Sequence, residues 1–293
     1  MSSLLKFFCL TYVLGWASFL AAGAMSGTAV ACLRGPLFLL GTFAPAVVAL
    51  ALTSQAEGRA GVRKLLREIV HWRVGVRWYL FAVSYMAAIK LTVALVYRLT
   101  THSWPRFGHE AWYVILAAIF LSTPVQAGEE IGWRGYALPR LAVRWGLAPA
   151  SIVLGAVWAC WHLPFFFLAG VDKSGQSFPV YFLQVIALSV AAAWLYWRTN
   201  RSLLLVMLMH SSVNQTLGLV PSTISNASNA FAISMSLVAW LTVGLLSITA
   251  VYFLVQMRST RLQDGWPGVA EVLAFRRGEP GTSPKAGAPP SVN

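Results

Sequence analysis

Acid is what this sequence has least of: nine Asp and Glu stand against 22 Lys and Arg, and charged residues of either sign make up 11% of the 293 residues. A soluble domain carries about a quarter, so so little charge excludes a chain that folds in water around one core. Cysteine is scarce as well. Cys9, Cys32 and Cys160 form no CxxC pair and no zinc-ribbon spacing, which excludes a disulfide framework and leaves three free thiols. The basic excess, formally +13, is scattered between apolar runs and builds no aromatic-interleaved basic domain, so nucleic acid is not an expected partner. No internal repeat and no soluble domain is visible.

What is there is apolar: 58% of the chain, gathered in runs long enough to cross a bilayer rather than in amphipathic stripes. Eight windows qualify, at about 4–24, 35–53, 78–99, 111–129, 149–169, 178–197, 203–220 and 231–255. The expected fold is all-α, a polytopic transmembrane helical bundle filling residues 1–256. Residues 257–293 shift to Pro, Gly, Ser and charge and read as a disordered cytoplasmic tail. The first window, with Lys6 ahead of it and Ala22-Gly23-Ala24 at its end, has a rival reading as a signal peptide. Its length favours a retained span.

Sixteen of the 22 Lys and Arg fall in the second-to-third, fourth-to-fifth and sixth-to-seventh connections and the tail; four fall in the alternate connections. That bias puts both termini in the cytoplasm of a multi-pass cell-membrane protein. The connection from Glu57 to Arg77 sets Arg59, Arg63, Lys64, Arg67, Arg73 and Arg77 beside Val62, Leu65, Leu66, Ile69, Val70 and Trp72, the apolar members at helical spacing, which predicts a basic amphipathic helix on the anionic interface.

Within the spans, polar groups are few and expensive. Glu129 and Glu130 close the fourth span, and the other seven acids are assigned to loops or the tail. Lys90 sits near the middle of the third span, where a carbonyl or carboxylate inside the bundle is its expected partner. His162 lies mid-span in the fifth, with Pro164 placed to kink the helix. His210 and Asn214 are four apart in the seventh and share a helical face. Glu130 and Arg134 have the favourable ion-pair spacing and order, whereas Glu129 points about 100° away from Glu130. Glu129 is therefore the freer carboxylate and the better general base. Counting depth along the spans, Glu129, His162 and His210 are expected to meet around a polar cavity in the cytoplasmic half. Two carboxylates, two imidazoles and an amide are the parts of a hydrolytic site.

Three elements carry a family resemblance: Glu129-Glu130-Ile-Gly-Trp-Arg134, the aromatic-xxx-His of Trp158 to His162, and the HxxxN of His210 to Asn214. In order and spacing, over about residues 120–220, they resemble the motifs of the CAAX-protease and bacteriocin-processing (CPBP, or Abi) family of intramembrane endopeptidases. Trp158 stands where phenylalanine is commoner. The resemblance implies that Glu129 with His162 activates a water and that His210 with Asn214 stabilises the oxyanion, Glu130 and Arg134 supporting them, on a peptide or membrane-associated protein substrate. Eukaryotic relatives remove the last three residues of prenylated proteins; bacterial ones are linked to bacteriocin maturation or self-immunity and to peptide signals. A zinc-dependent version would take Zn2+ on Glu129, His162 and His210, although the sequence has no HExxH. A non-catalytic membrane protein that binds a bacteriocin and confers immunity is the alternative of another class. A transporter would predict discontinuous helices in two related halves, which the sequence lacks.

Overall fold

The computed structural model describes residues 3–25, 27–168, 176–221, 229–233 and 236–258; most of the expected tail lies outside them. Every regular element among the described residues is helical: α1 (Ser3–Ala24), α2 (Arg34–Arg67), α3 (Val76–Thr101), α4 (Trp112–Ser122), α5 (Ala127–Glu130), α6 (Leu138–Trp145), α7 (Leu147–Trp161), α8 (Phe178–Arg198), α9 (Leu203–Thr216) and α10 (Leu237–Met257). A 3-10 turn (Thr123–Gln126) and a π-helical segment (Ile131–Ala137) join α4, α5 and α6 into one rod, Trp112–Trp145. Six helical segments are long and apolar enough to cross a membrane, and Leu147–Trp161 and Leu203–Leu219 are shorter apolar helices. These account for the eight apolar windows.

Three local expectations need correction. The fourth span does not close at Glu129: the rod runs 34 residues, so the two glutamates sit at its middle. Arg134, Arg140 and Arg144 made the second half read as a connection, but Arg134 is fully buried against Glu130 and Arg140 reaches Glu57 at 3.1 Å. His162 is not mid-helix. It caps α7, and a 3-10 turn over Leu163–Phe166 follows, because Pro164 supplies no backbone N–H to continue the helix. The amphipathic segment is also shorter than expected. Its helical part begins after Gly58, whose φ of 62° breaks the line of α2, and stops at Arg67. Beyond it the chain turns to bury Glu68 against Tyr196 and Arg201.

α1 packs along α2 and also grips α7, where Tyr12 Oη donates to the Val157 carbonyl (2.5 Å) and Trp16 Nε1 to that of Trp161 (2.9 Å). α7 packs on α8, α8 on α10, and α3 on α9. Lys90 is wholly buried where α3, α9 and α10 meet, and its Nζ donates to the Val220 carbonyl at 3.1 Å. A carbonyl, as the sequence allowed, holds that charge inside the bundle.

The rod is pinned to α2 by two glycines four residues apart. A Cβ on Gly128 would lie 2.8 Å from the Phe43 ring, and one on Gly132 would lie 2.6 Å from both the carbonyl carbon and oxygen of Pro45. This small-xxx-small face lets two backbones touch in a membrane interior, where close packing replaces hydrophobic association. Gly132→Ala should therefore lower stability by about 1–3 kcal/mol, the usual cost of overpacking. A melting temperature in detergent equal to that of the parent would contradict this close approach.

Candidate active site

The local sequence at the rod's centre explains how two adjacent carboxylates acquire different surroundings. Along a helix they diverge, and here Glu129 faces α7 while Glu130 faces α9. Glu129 Oε2 accepts a 2.6 Å hydrogen bond from Trp158 Nε1 and lies 3.8 Å from His162 Nε2. The other ring nitrogen of His162, Nδ1, is 2.9 Å from the Trp158 carbonyl. A carbonyl only accepts, so Nδ1 carries hydrogen and Nε2 presents its lone pair in the neutral imidazole. Carboxylate and imidazole thus offer two proton acceptors to one small volume.

Glu130 is fully buried, and its Oε1 accepts from Arg134 Nη1 (2.9 Å) and faces His210 Nδ1 (2.7 Å). The guanidinium of Arg134 also lies 4.2 Å from the centre of the Trp158 ring, a cation–π contact. Trp158 is the hinge of the site: its indole N–H holds Glu129, its ring faces Arg134, its carbonyl sets the tautomer of His162, and its edge meets His210 with ring centres 5.2 Å apart. The π-helical segment begins right after Glu130, and such insertions are frequent at functional sites.

Glu129, His162, His210 and Asn214 all line one cavity of about 1070 Å³, whose walls also carry Phe38, Phe165, Tyr181 and Val213. Asn214 is exposed to it, on the same face of α9 as His210. The structure thus gathers all six motif residues, though Glu130 and Arg134 lie behind the wall and off the cavity. The sequence reading missed the Glu130–His210 contact and gave Trp158 no role beyond an aromatic match. Its position four residues before His162 was the available signal. The Gly128-xxx-Gly132 spacing was equally visible and went unread.

Among the described residues no three His, Cys, Asp or Glu side chains converge as a metal-holding group in this arrangement. The contacts of Glu129 Oε2 with Trp158 and of His210 Nδ1 with Glu130 leave the other carboxylate oxygen and His210 Nε2 as the atoms a zinc-dependent version would use.

Fold and site together define a polytopic α-helical membrane protein with a carboxylate–imidazole cluster inside its bundle. Residues 108–216, the segment containing every motif residue, match the family model described as type II CAAX prenyl endopeptidase Rce1-like. Over that segment, a little over a third of the chain, it is similar to the type II CAAX prenyl endopeptidases. It is similar to CAAX prenyl protease 2 of Methanococcus maripaludis, at 30% identity over 102 residues that cover 33% of this chain and 38% of the relative. The match thus spans less than half of that curated relative's length.

Proposed function

We propose that this chain is an intramembrane endopeptidase of the cell membrane that hydrolyses a peptide bond with water activated by Glu129 and His162. The observation that carries the reading is the 3.8 Å separation of Glu129 Oε2 and His162 Nε2 on the wall of the large cavity. The gap is too long for a hydrogen bond and suits one bridging water. In the step proposed, Glu129 takes a proton from that water, its oxygen adds to the peptide carbonyl, and the carbonyl oxygen becomes an oxyanion. The proton held by Glu129 then passes to the leaving nitrogen as the C–N bond breaks.

His210 Nε2 and the Asn214 amide are the donors proposed for the oxyanion. In that role His210 donates from both ring nitrogens, Nδ1 to the Glu130 carboxylate at 2.7 Å and Nε2 to the oxyanion. A similarity in which the relative's name specifies a CAAX prenyl protease adds peptide hydrolysis as the chemistry, while the substrate of this chain is a separate matter.

Two measurements test these roles. Asn214→Ala should lower kcat by about 10²-fold or more with KM little changed, since an oxyanion donor acts in the transition state. A raised KM at unchanged kcat would make Asn214 a binding residue instead. Purified protein should also keep full activity in a strong chelator, and loss of activity restored by zinc would replace this mechanism with the metal-dependent one.

A further inference from the structure

The charge and the cavity lie at opposite ends of the bundle. Of the seventeen described Lys and Arg residues, twelve gather at the end formed by the start of α1, the end of α2, the start of α3, the end of α6, the α8–α9 turn and the end of α10. Contacts across that end confirm that these segments meet: Arg140 pairs with Glu57, Arg201 with Glu68, and Trp194 Nε1 donates to Gln256 at 2.8 Å. Only Arg34, Arg98 and Arg106 lie at the other end, and Lys90 and Arg134 are inside. Geometry thus sharpens the bias read from the sequence, because Arg134 no longer counts and the basic connections prove to be one surface. A bias of this size places that surface in the cytoplasm.

The cavity keeps to the other half. It takes Ala31 just before α2 and the N-terminal part of that helix to Thr42, the stretch of α8 from Tyr181 to Leu188, and the chain from His210 in α9 to Pro221 beyond that helix. Gly128 packs on Thr42 and Phe43, eight or nine residues along α2 from Arg34. The catalytic level is therefore about 12–14 Å below the mouth at ~1.5 Å per residue. With the basic end in the cytoplasm, the cavity lies in the opposite half and not in the cytoplasmic half expected from taking Glu129 as the end of its span. The wall above the glutamate presents side-chain amides, Gln126, Gln184, Asn214 and Gln215, between apolar residues. Amides donate and accept at once, which suits the backbone of an extended peptide.

We infer that substrate enters from the extracytoplasmic side, so that this chain cuts exported peptides or the extracytoplasmic flank of membrane-anchored ones. The inference rests on the endopeptidase reading for the cut and on charge and cavity geometry alone for the side. Two experiments separate these.

Thiol labelling in intact cells fixes the side. With Cys9 and Cys160 changed to Ser, the exposed native Cys32, beside the mouth, should react with a membrane-impermeant maleimide. So should Gly218→Cys in a protein otherwise free of cysteine, since a Cβ there meets open space on the cavity wall. Val70→Cys, 66% exposed at the basic end, should react only after permeabilisation. The reverse pattern overturns the inference. For the cut, an impermeant quenched-fluorescent peptide library is added to sealed right-side-out and inside-out vesicles, with Glu129→Gln as control. Hydrolysis confined to right-side-out vesicles is expected. Hydrolysis confined to inside-out vesicles overturns the inference and leaves the endopeptidase standing. With outside labelling but no hydrolysis by either vesicle or by detergent-solubilised protein, the endopeptidase reading falls, and the substrate assignment with it.

Discussion

Glu129→Gln should leave the protein folded and abundant while cutting peptide hydrolysis by about 10²- to 10⁴-fold, the contribution general-base catalysis makes. That factor is ~2.7–5.5 kcal/mol of transition-state stabilisation. The amide preserves volume, and its oxygen can still accept the hydrogen bond that Trp158 Nε1 makes to Glu129. It also replaces a buried charge by a neutral group that is cheaper to keep out of water. What it loses is the ability to take a proton from water. Melting temperature and cleavage rate measured on one preparation separate the two effects. A fall in stability matching the fall in rate would remove Glu129 from the chemistry.

Glu130→Gln should fail in the other way. Glu130 is the buried anion that faces both Arg134 and His210, and Arg134 is itself fully buried with Nε and Nη2 unbonded among the described residues. A glutamine can accept from both partners but carries no charge, so the guanidinium is stranded. Breaking a buried pair costs about 3–5 kcal/mol, which at ~2–4 °C per kcal/mol is a fall on the order of 10 °C in melting temperature. Adding Arg134→Met should recover part of it, because removing both ions is cheaper than stranding one. Activity should fall too, since His210 loses the carboxylate that faces its Nδ1 and orients its ring. If Glu130→Gln melts like the parent and is inactive while Glu129→Gln still cleaves, the roles of the two glutamates are exchanged.

How far the sequence carried this reading differs from place to place for physical reasons. The eight apolar segments were legible because twenty uninterrupted apolar residues have few other uses, and the Glu130–Arg134 pair because helical spacing brings i and i+4 together. The length of the rod was not. Arg134, Arg140 and Arg144 end a hydropathy window whatever their partners, and only the fold brings Glu57 to Arg140. The same reading set the cavity in the half that holds the basic connections, since a span closed at Glu129 puts that residue at a membrane face, whereas the cavity is lined from the end opposite them. Glu68 read as a loop acid; it is buried with Arg201 and Tyr196 from a segment far along the chain. The contact of His210 with Glu130 was hidden for a similar reason. Two glutamates on different helix faces have partners on different helices, and a single sequence gives no way to assign α7 to one and α9 to the other.

The most direct test of the account is new chain ends. Proteoliposomes bearing the parent protein, and others bearing Glu129→Gln at equal abundance, are given the same peptide library, and products are sequenced by mass spectrometry in water enriched in oxygen-18. The account predicts cleavage products whose new carboxyl termini carry the heavy oxygen, present with the parent protein and absent with Glu129→Gln. Equal products from both preparations, or none from either while the parent is folded, would contradict it.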